Sequence, residues 1–196
     1  MGKQVLAIPT ELLFSRIERR DAFTGFDEYP LTCSQLFAGA EFIDREQAEH
    51  DPSYKQIIPY GVIRGLRGIL CYQRGDGSDE SRLVAKHSFG FGGHVEPSDG
   101  KNLLMCMIRE LSEELLFGDI PFCISPAGIV NEDFTEVGTV HVGMVYSIVV
   151  HEAVLVSGET DIANLRWEAA EQMEEKKELG LWEGWSKLLM DGGLHV

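Results

Sequence analysis

Two hydrophobic periods alternate along this chain. Val5-Leu6-Ala7-Ile8 is a short apolar run closed by Pro9, which reads as a strand. Thr10 then stands where a cap is wanted for a short helix through Leu12, Leu13 and Ile17. Residues 20–54 are irregular and polar, with aromatics at Phe23, Phe26, Tyr29 and Phe37. They read as a helical extension, packed on the main domain or on a second subunit, which leaves a homodimer open. From Gln56 the pattern turns β-rich. Residues 57–63 and 68–72 predict paired strands around Arg64-Gly65-Leu66-Arg67, and Gly75-Asp76-Gly77-Ser78-Asp79 predicts a turn. Residues 82–85 predict a further strand, followed by the glycine-rich Phe89-Gly90-Phe91-Gly92-Gly93.

From Asn102 to Phe117 the period changes to that of a helix. Leu104, Met107, Ile108, Leu111 and Leu115 form its expected buried stripe. Strands are expected at 123–130 and 139–150. The last 30 residues read as helical, with one segment at 168–177 and another carrying Leu181, Trp185, Leu188 and Leu189. Strands, a central helix, more strands and terminal helices fit a mixed sheet covered by helices on both faces. The expected division is an extension over 1–54 and an α/β domain over 55–196.

Composition narrows the function classes. A chain of 196 residues with 44% hydrophobic content can bury one sizeable core. No apolar run reaches the roughly 20 residues that span a bilayer. The first residues lack the apolar stretch of a secretory signal, and Leu6 stands where a myristoylation signal needs Ser or Thr. A cytoplasmic location is the expectation by elimination. Cys33, Cys71, Cys106 and Cys123 contain no C-x-x-C pair and read as buried free thiols. The net charge of −15 argues against general nucleic-acid binding. A small phosphorylated substrate remains compatible if a divalent cation bridges it to the protein.

The central helix carries the chemistry. Glu110, Glu113 and Glu114 lie at i, i+3 and i+4 and share one helical face, read as lying well away from the apolar stripe. Their mutual repulsion would be relieved by a hard cation, for which carboxylate oxygens are suitable ligands. Gly92-Gly93 upstream lets the backbone bend sharply and approach a ligand closely.

Gly93, Asp99 and Arg109-Glu110-Leu111-Ser112-Glu113-Glu114 together resemble the motif of the Nudix hydrolases. That motif is Gly, five residues, Glu, seven residues, then Arg-Glu-apolar-any-Glu-Glu-any-Gly-apolar. The segment from Arg109 to Glu114 matches throughout. Asp99 replaces the first glutamate, two extra residues fall around Gly100-Lys101-Asn102, and Leu116 replaces the late glycine, with Gly118 as the expected helix stop. The resemblance implies a Nudix-like α/β/α sandwich with a mixed sheet, here with an N-terminal extension and C-terminal helices. It implies Mg²⁺ or Mn²⁺ held by Glu110, Glu113, Glu114 and the Gly92 carbonyl, with Arg109 structural, holding the loop through Asp99 or a neighbouring carboxylate.

Around that helix, Glu132 and Glu136 are candidates for a general base from a later loop. Arg64, Arg74, Arg82, Lys86 and His94 are candidates for binding an anionic substrate, and His87 and His141 are lesser ones. The implied activity is metal-assisted cleavage of a diphosphate linkage. A silent nucleotide-binding or regulatory domain and an isomerase on the same scaffold are the alternatives.

Overall fold

The structure, a computed structural model, describes residues 2–28, 31–75, 86–115, 120–151 and 162–195. Its organising element is β4 (Tyr54–Gly65), buried on both faces from Lys55 to Ile63. A near-continuous apolar run suits such a central strand. Along one edge it pairs in parallel with β9 (His141–Val150), from Gln56↔His141 to Arg64↔Val149. Its other edge is shared in turn by β1 (Gln4–Pro9), β7 (Gly90–Phe91) and β5 (Gly68–Arg74). Beyond β9 lie β8 (Phe122–Asn131) and β2 (Ala22–Gly25), and beyond β5 lies β10 (Ile162–Glu168). Two short strands complete the sheet, β3 (Glu41–Asp44) on β1 and β6 (His87–Ser88) on β5. Among the described residues, every ladder except β4–β9 is antiparallel, so the sheet is mixed.

Side chains alternate across this sheet and define two cores. Ile57 and Ile63 of β4, Leu70 and Tyr72 of β5, and Val142, Met144, Tyr146 and Ile148 of β9 face one layer. That layer contains α1 (Thr10–Phe14), α2 (Cys33–Leu36) and α4 (Leu103–Leu115). Tyr60, Val62, Ile69, Cys71 and Val145 face the opposite layer, formed by α6 (Ala170–Glu178) and α7 (Gly184–Asp191). The result is the expected α/β/α sandwich.

Several elements differ from the sequence expectation. Residues 20–54 are not simply helical: they contribute β2 and β3 as well as α2 and α3 (Arg45–Ala48). The chain returns to the sheet as β10 before its terminal helices begin. Thr10 does not cap α1; it is the helix's first residue, and its hydroxyl donates to the Pro52 carbonyl at 2.8 Å. Cys123 is exposed, whereas Cys71 and Cys106 are buried. The strand expected at 82–85, most of the turn after Gly75, and Leu116 and Gly118 lie outside the described residues.

The buried face of α4 is also rotated from the one expected. Leu103, Cys106, Met107, Leu111 and Leu115 are buried, while Leu104 and Ile108 reach the surface. At about 100° per residue, Glu114 falls about 20° and Glu110 about 60° from Met107. The carboxylate face therefore overlaps the buried face and does not lie opposite it. This brings two of the three acids into contact with the protein interior.

Candidate active site around the central helix

The site begins with the turn that enters α4. Pro97–Asp99 forms one 3-10 turn, and Gly100 reverses the chain at φ +62°. Asn102 then caps the helix, its side-chain oxygen accepting from the Leu104 and Met105 amides at 3.1 and 3.3 Å. The two residues extra to the motif are absorbed in this entry, and Lys101 anchors it by donating to the Ala40 carbonyl at 2.6 Å.

Arg109 holds the site together. Its Nε and Nη2 donate to the two Asp99 carboxylate oxygens at 2.9 and 2.8 Å, a two-pronged pairing. Nη2 also donates to the His94 carbonyl at 3.0 Å, and Nη1 to Glu110 at 2.7 Å and Glu113 at 3.3 Å. The guanidinium holds the Asp99 carboxyl below its ordinary range, mainly through these hydrogen bonds. The shorter aspartate thus reaches the arginine despite the altered spacing.

Glu110 packs against the glycine pair. A Cβ added to Gly93 would come within 2.7 Å of the Glu110 carboxylate. Gly92 has φ +146°, and a Cβ there would fall 2.0 Å from the Pro59 carbonyl oxygen. Both positions therefore exclude larger residues, for different reasons. Only 14% of the Glu110 side chain is exposed. Burial pushes its pKa above the usual carboxylate value, although Arg109 opposes the shift. Glu114 is half-buried and Glu113 is exposed, so the three acids grade from interior to solvent. The Cys106 thiol lies beneath, 3.5 Å from the His94 carbonyl oxygen, and burial keeps it protonated by raising its pKa.

The other sequence candidates are distributed differently. Glu132 is buried and accepts from the Thr135 amide at 2.6 Å and the Thr135 hydroxyl at 3.1 Å. Its second oxygen would lie 3.3 Å from a Cβ on Gly184, at the start of α7. Glu132 therefore shapes the loop before α5 (Glu136–Thr139) on the α7 side. Glu136 is the exposed first residue of α5. Arg64 donates to the Leu194 carbonyl, Arg74 to Glu183 at 3.1 Å, and Lys86 to the Gly180 carbonyl at 3.1 Å. Each is engaged with the C-terminal segment. Arg82 lies outside the described residues. His87 meets Arg166 at 2.7 Å and the Trp182 ring.

His94 and His141 do come together. Their Nε2 atoms are 3.2 Å apart, and Glu49 Oε1 is 3.8 Å from His94 Nε2. Sequence reading missed Glu49, which follows α3 in the stretch read as an irregular extension. No spacing could have revealed it, because the three residues come from three distant parts of the chain.

The arrangement can hold a cation through oxygen atoms alone. Glu110 presents a carboxylate kept from water against a glycine, and a bound cation would remove the cost of its charge. Oxygen donors of this type suit Mg²⁺ and Mn²⁺.

The chain has the fold of the Nudix superfamily. Over 95% of both chains it superposes on Tm1382, a protein provisionally assigned to the Nudix hydrolases, with a TM-score of 0.76 and 27% identity. DR0079 of Deinococcus radiodurans gives a TM-score of 0.58 at 17% identity, over 76% of this chain and 90% of that one. The Nudix domain of Shewanella oneidensis NrtR, solved with ADP-ribose, gives 0.51 at 14% identity, over 62% and 77%. In sequence, the chain is 29% identical to Protein YmaB of Bacillus subtilis (strain 168), over 97% of each. No family model matches the chain.

Proposed function

We propose that this chain is a Nudix-type hydrolase that cleaves a diphosphate linkage in a nucleoside diphosphate derivative or a related compound. The observation that carries this reading is the Glu110 carboxylate, buried against Gly93 while Arg109 ties its loop to Asp99. Glu110, Glu113, Glu114 and the Gly92 carbonyl are the proposed ligands for Mg²⁺ or Mn²⁺. Such an ion supplies Lewis acidity toward the diphosphate and a bound water of lowered pKa. The chain's own contribution is positional. Arg109 fixes the loop and holds Glu110 and Glu113, and Gly92-Gly93 admit the backbone to the carboxylates. A net charge of −15 makes a bridging cation the natural partner for an anionic substrate.

Glu132 has no part in this proposal, because its carboxylate lies beside Gly184 at the start of α7, and α7 packs on the face of the sheet opposite α4. A silent nucleotide-binding or regulatory domain is the second reading; the Asp99–Arg109 pairing, kept despite the altered spacing before Arg109, supports the hydrolase one.

The test is a screen of the full chain against dinucleotides, nucleotide sugars, nucleoside triphosphates and isoprenoid diphosphates. Mg²⁺- or Mn²⁺-dependent release of a monophosphate or pyrophosphate is expected, and Glu114→Gln should lower it at least about 100-fold. Nucleotide binding at saturating metal without turnover would assign a binding domain instead. An unchanged diphosphate in the phosphorus NMR of a rearranged product would assign an isomerase.

A further inference from the structure

We infer that Glu49, His94 and His141 form a second metal site, for a transition-metal ion of the Zn²⁺ class, distinct from the carboxylate face of α4. The ligand atoms of the three side chains all lie within 4.8 Å of one another. Two imidazoles and one carboxylate constitute a known three-residue zinc donor set that leaves a fourth position for water. Nitrogen donors favour zinc-class ions over Mg²⁺, so the two sites sort metals by donor type.

The geometry is close to that of a bound site. Two nitrogens on a tetrahedral zinc at the usual bond length stand about 3.3 Å apart, and the observed Nε2–Nε2 separation is 3.2 Å. His141 Nδ1 lies 2.8 Å from the Val137 carbonyl oxygen. That contact places the ring proton on Nδ1 and leaves the Nε2 lone pair facing His94 Nε2 at 3.2 Å. Metal-bound histidines are oriented by this kind of outer contact. Glu49 is the one member that must shift, since its Oε1 is 3.8 Å from His94 Nε2. Its side chain is partly exposed, and Arg45 Nε, one turn earlier, donates to the same oxygen at 3.4 Å.

The site would tie three parts of the chain. Glu49 follows α3, His141 opens β9, and His94 directly follows the glycine against which Glu110 packs. An ion here fixes the backbone that lines the proposed diphosphate site without touching the diphosphate. The inference does not rest on the hydrolase reading, and its test reads metal content alone.

The chelator-stripped full chain is titrated with Zn²⁺ in a large excess of Mg²⁺ and followed by calorimetry and elemental analysis. One zinc per chain is expected, unaffected by the magnesium. The triple variant Glu110→Gln, Glu113→Gln, Glu114→Gln should retain it. Glu49→Gln and His141→Gln should weaken it at least about 100-fold. Co²⁺ added to the unmutated protein should give the visible absorption of a four-coordinate nitrogen and oxygen site, a readout that needs no variant to fold. Absence of zinc from the folded wild type, undiminished affinity in His141→Gln, or loss of zinc in the α4 triple variant would each overturn the inference.

Discussion

At Glu110 a cost to the fold coincides with a proposed metal ligand. Its charged form is disfavoured by burial, so the folded chain binds a proton there more readily than the unfolded chain does. By linkage, the metal-free protein loses stability as pH rises from the ordinary glutamate value through the raised one. Above that window the charge is a standing cost. Glu110→Gln keeps the shape and can still accept from Arg109. We expect it to melt higher than the wild type in metal-free buffer at pH 7, in a thermal scan. The same variant should lose at least about 100-fold in metal-dependent turnover, more than removal of a group that only supports a ligand. A variant that melts lower and turns over normally would show the carboxylate to be structural.

Among the elements, β4 is tied to the loop after β8 by an ion pair whose lysine is fully buried. Lys55 on β4 is fully buried and donates to Asp133 at 2.5 Å and to the Gly138 carbonyl at 2.6 Å. Asp133→Ala leaves that ammonium buried without its counter-charge and should cost about 3 kcal/mol in denaturant unfolding. Lys55→Met removes the buried charge itself and should cost clearly less. Burial pushes the Asp133 carboxyl up, but Lys55 and Arg19 together hold it below 3.8. A depressed carboxyl stabilises the fold fully above its unfolded value and loses that contribution as pH falls through the lower folded one. Melting temperature measured from pH 5 to pH 2 should therefore fall more steeply in the wild type than in Asp133→Asn.

The elements differ in how openly the sequence announces them. The long buried strands and α4 carry enough residues for their period to emerge. β10 does not, because it is an edge strand whose register shifts between Ala163 and Arg166, with Asn164 at φ +52°. A bulge destroys alternation, and the residues after it read as the start of a helix. β2 and β3 span only four residues each, too few to show a period. The carboxylates of α4 were legible because their spacing is local. Their overlap with the buried stripe was not, since only the packing of Leu103 and Cys106 shows which way the helix is turned. The meeting of Glu49, His94 and His141 depends on three separate elements and left no trace in spacing.

At the scale of the whole molecule, no helix among the described residues is long and apolar enough to cross a membrane. The sheet instead draws the chain together around β4 and β9, with α4 carried in the connection between them. That connection governs how the protein can be made. The parallel ladder from Gln56↔His141 to Arg64↔Val149 closes a loop that contains every proposed ligand for the magnesium-class ion. Pairings so distant in sequence bear their loop entropy before they gain any contact, and such topologies fold slowly. A chain still emerging from the ribosome therefore carries the complete Arg109–Glu114 segment, with the strands upstream of it, before β9 exists to pair with β4. A fragment ending at Thr135 should bind no Mn²⁺ and show no cooperative melting, as read by electron paramagnetic resonance and circular dichroism. Binding capacity should be acquired in one step once β9 has been synthesised, so the proposed chemistry would be withheld from the nascent chain until its central strand pair has closed.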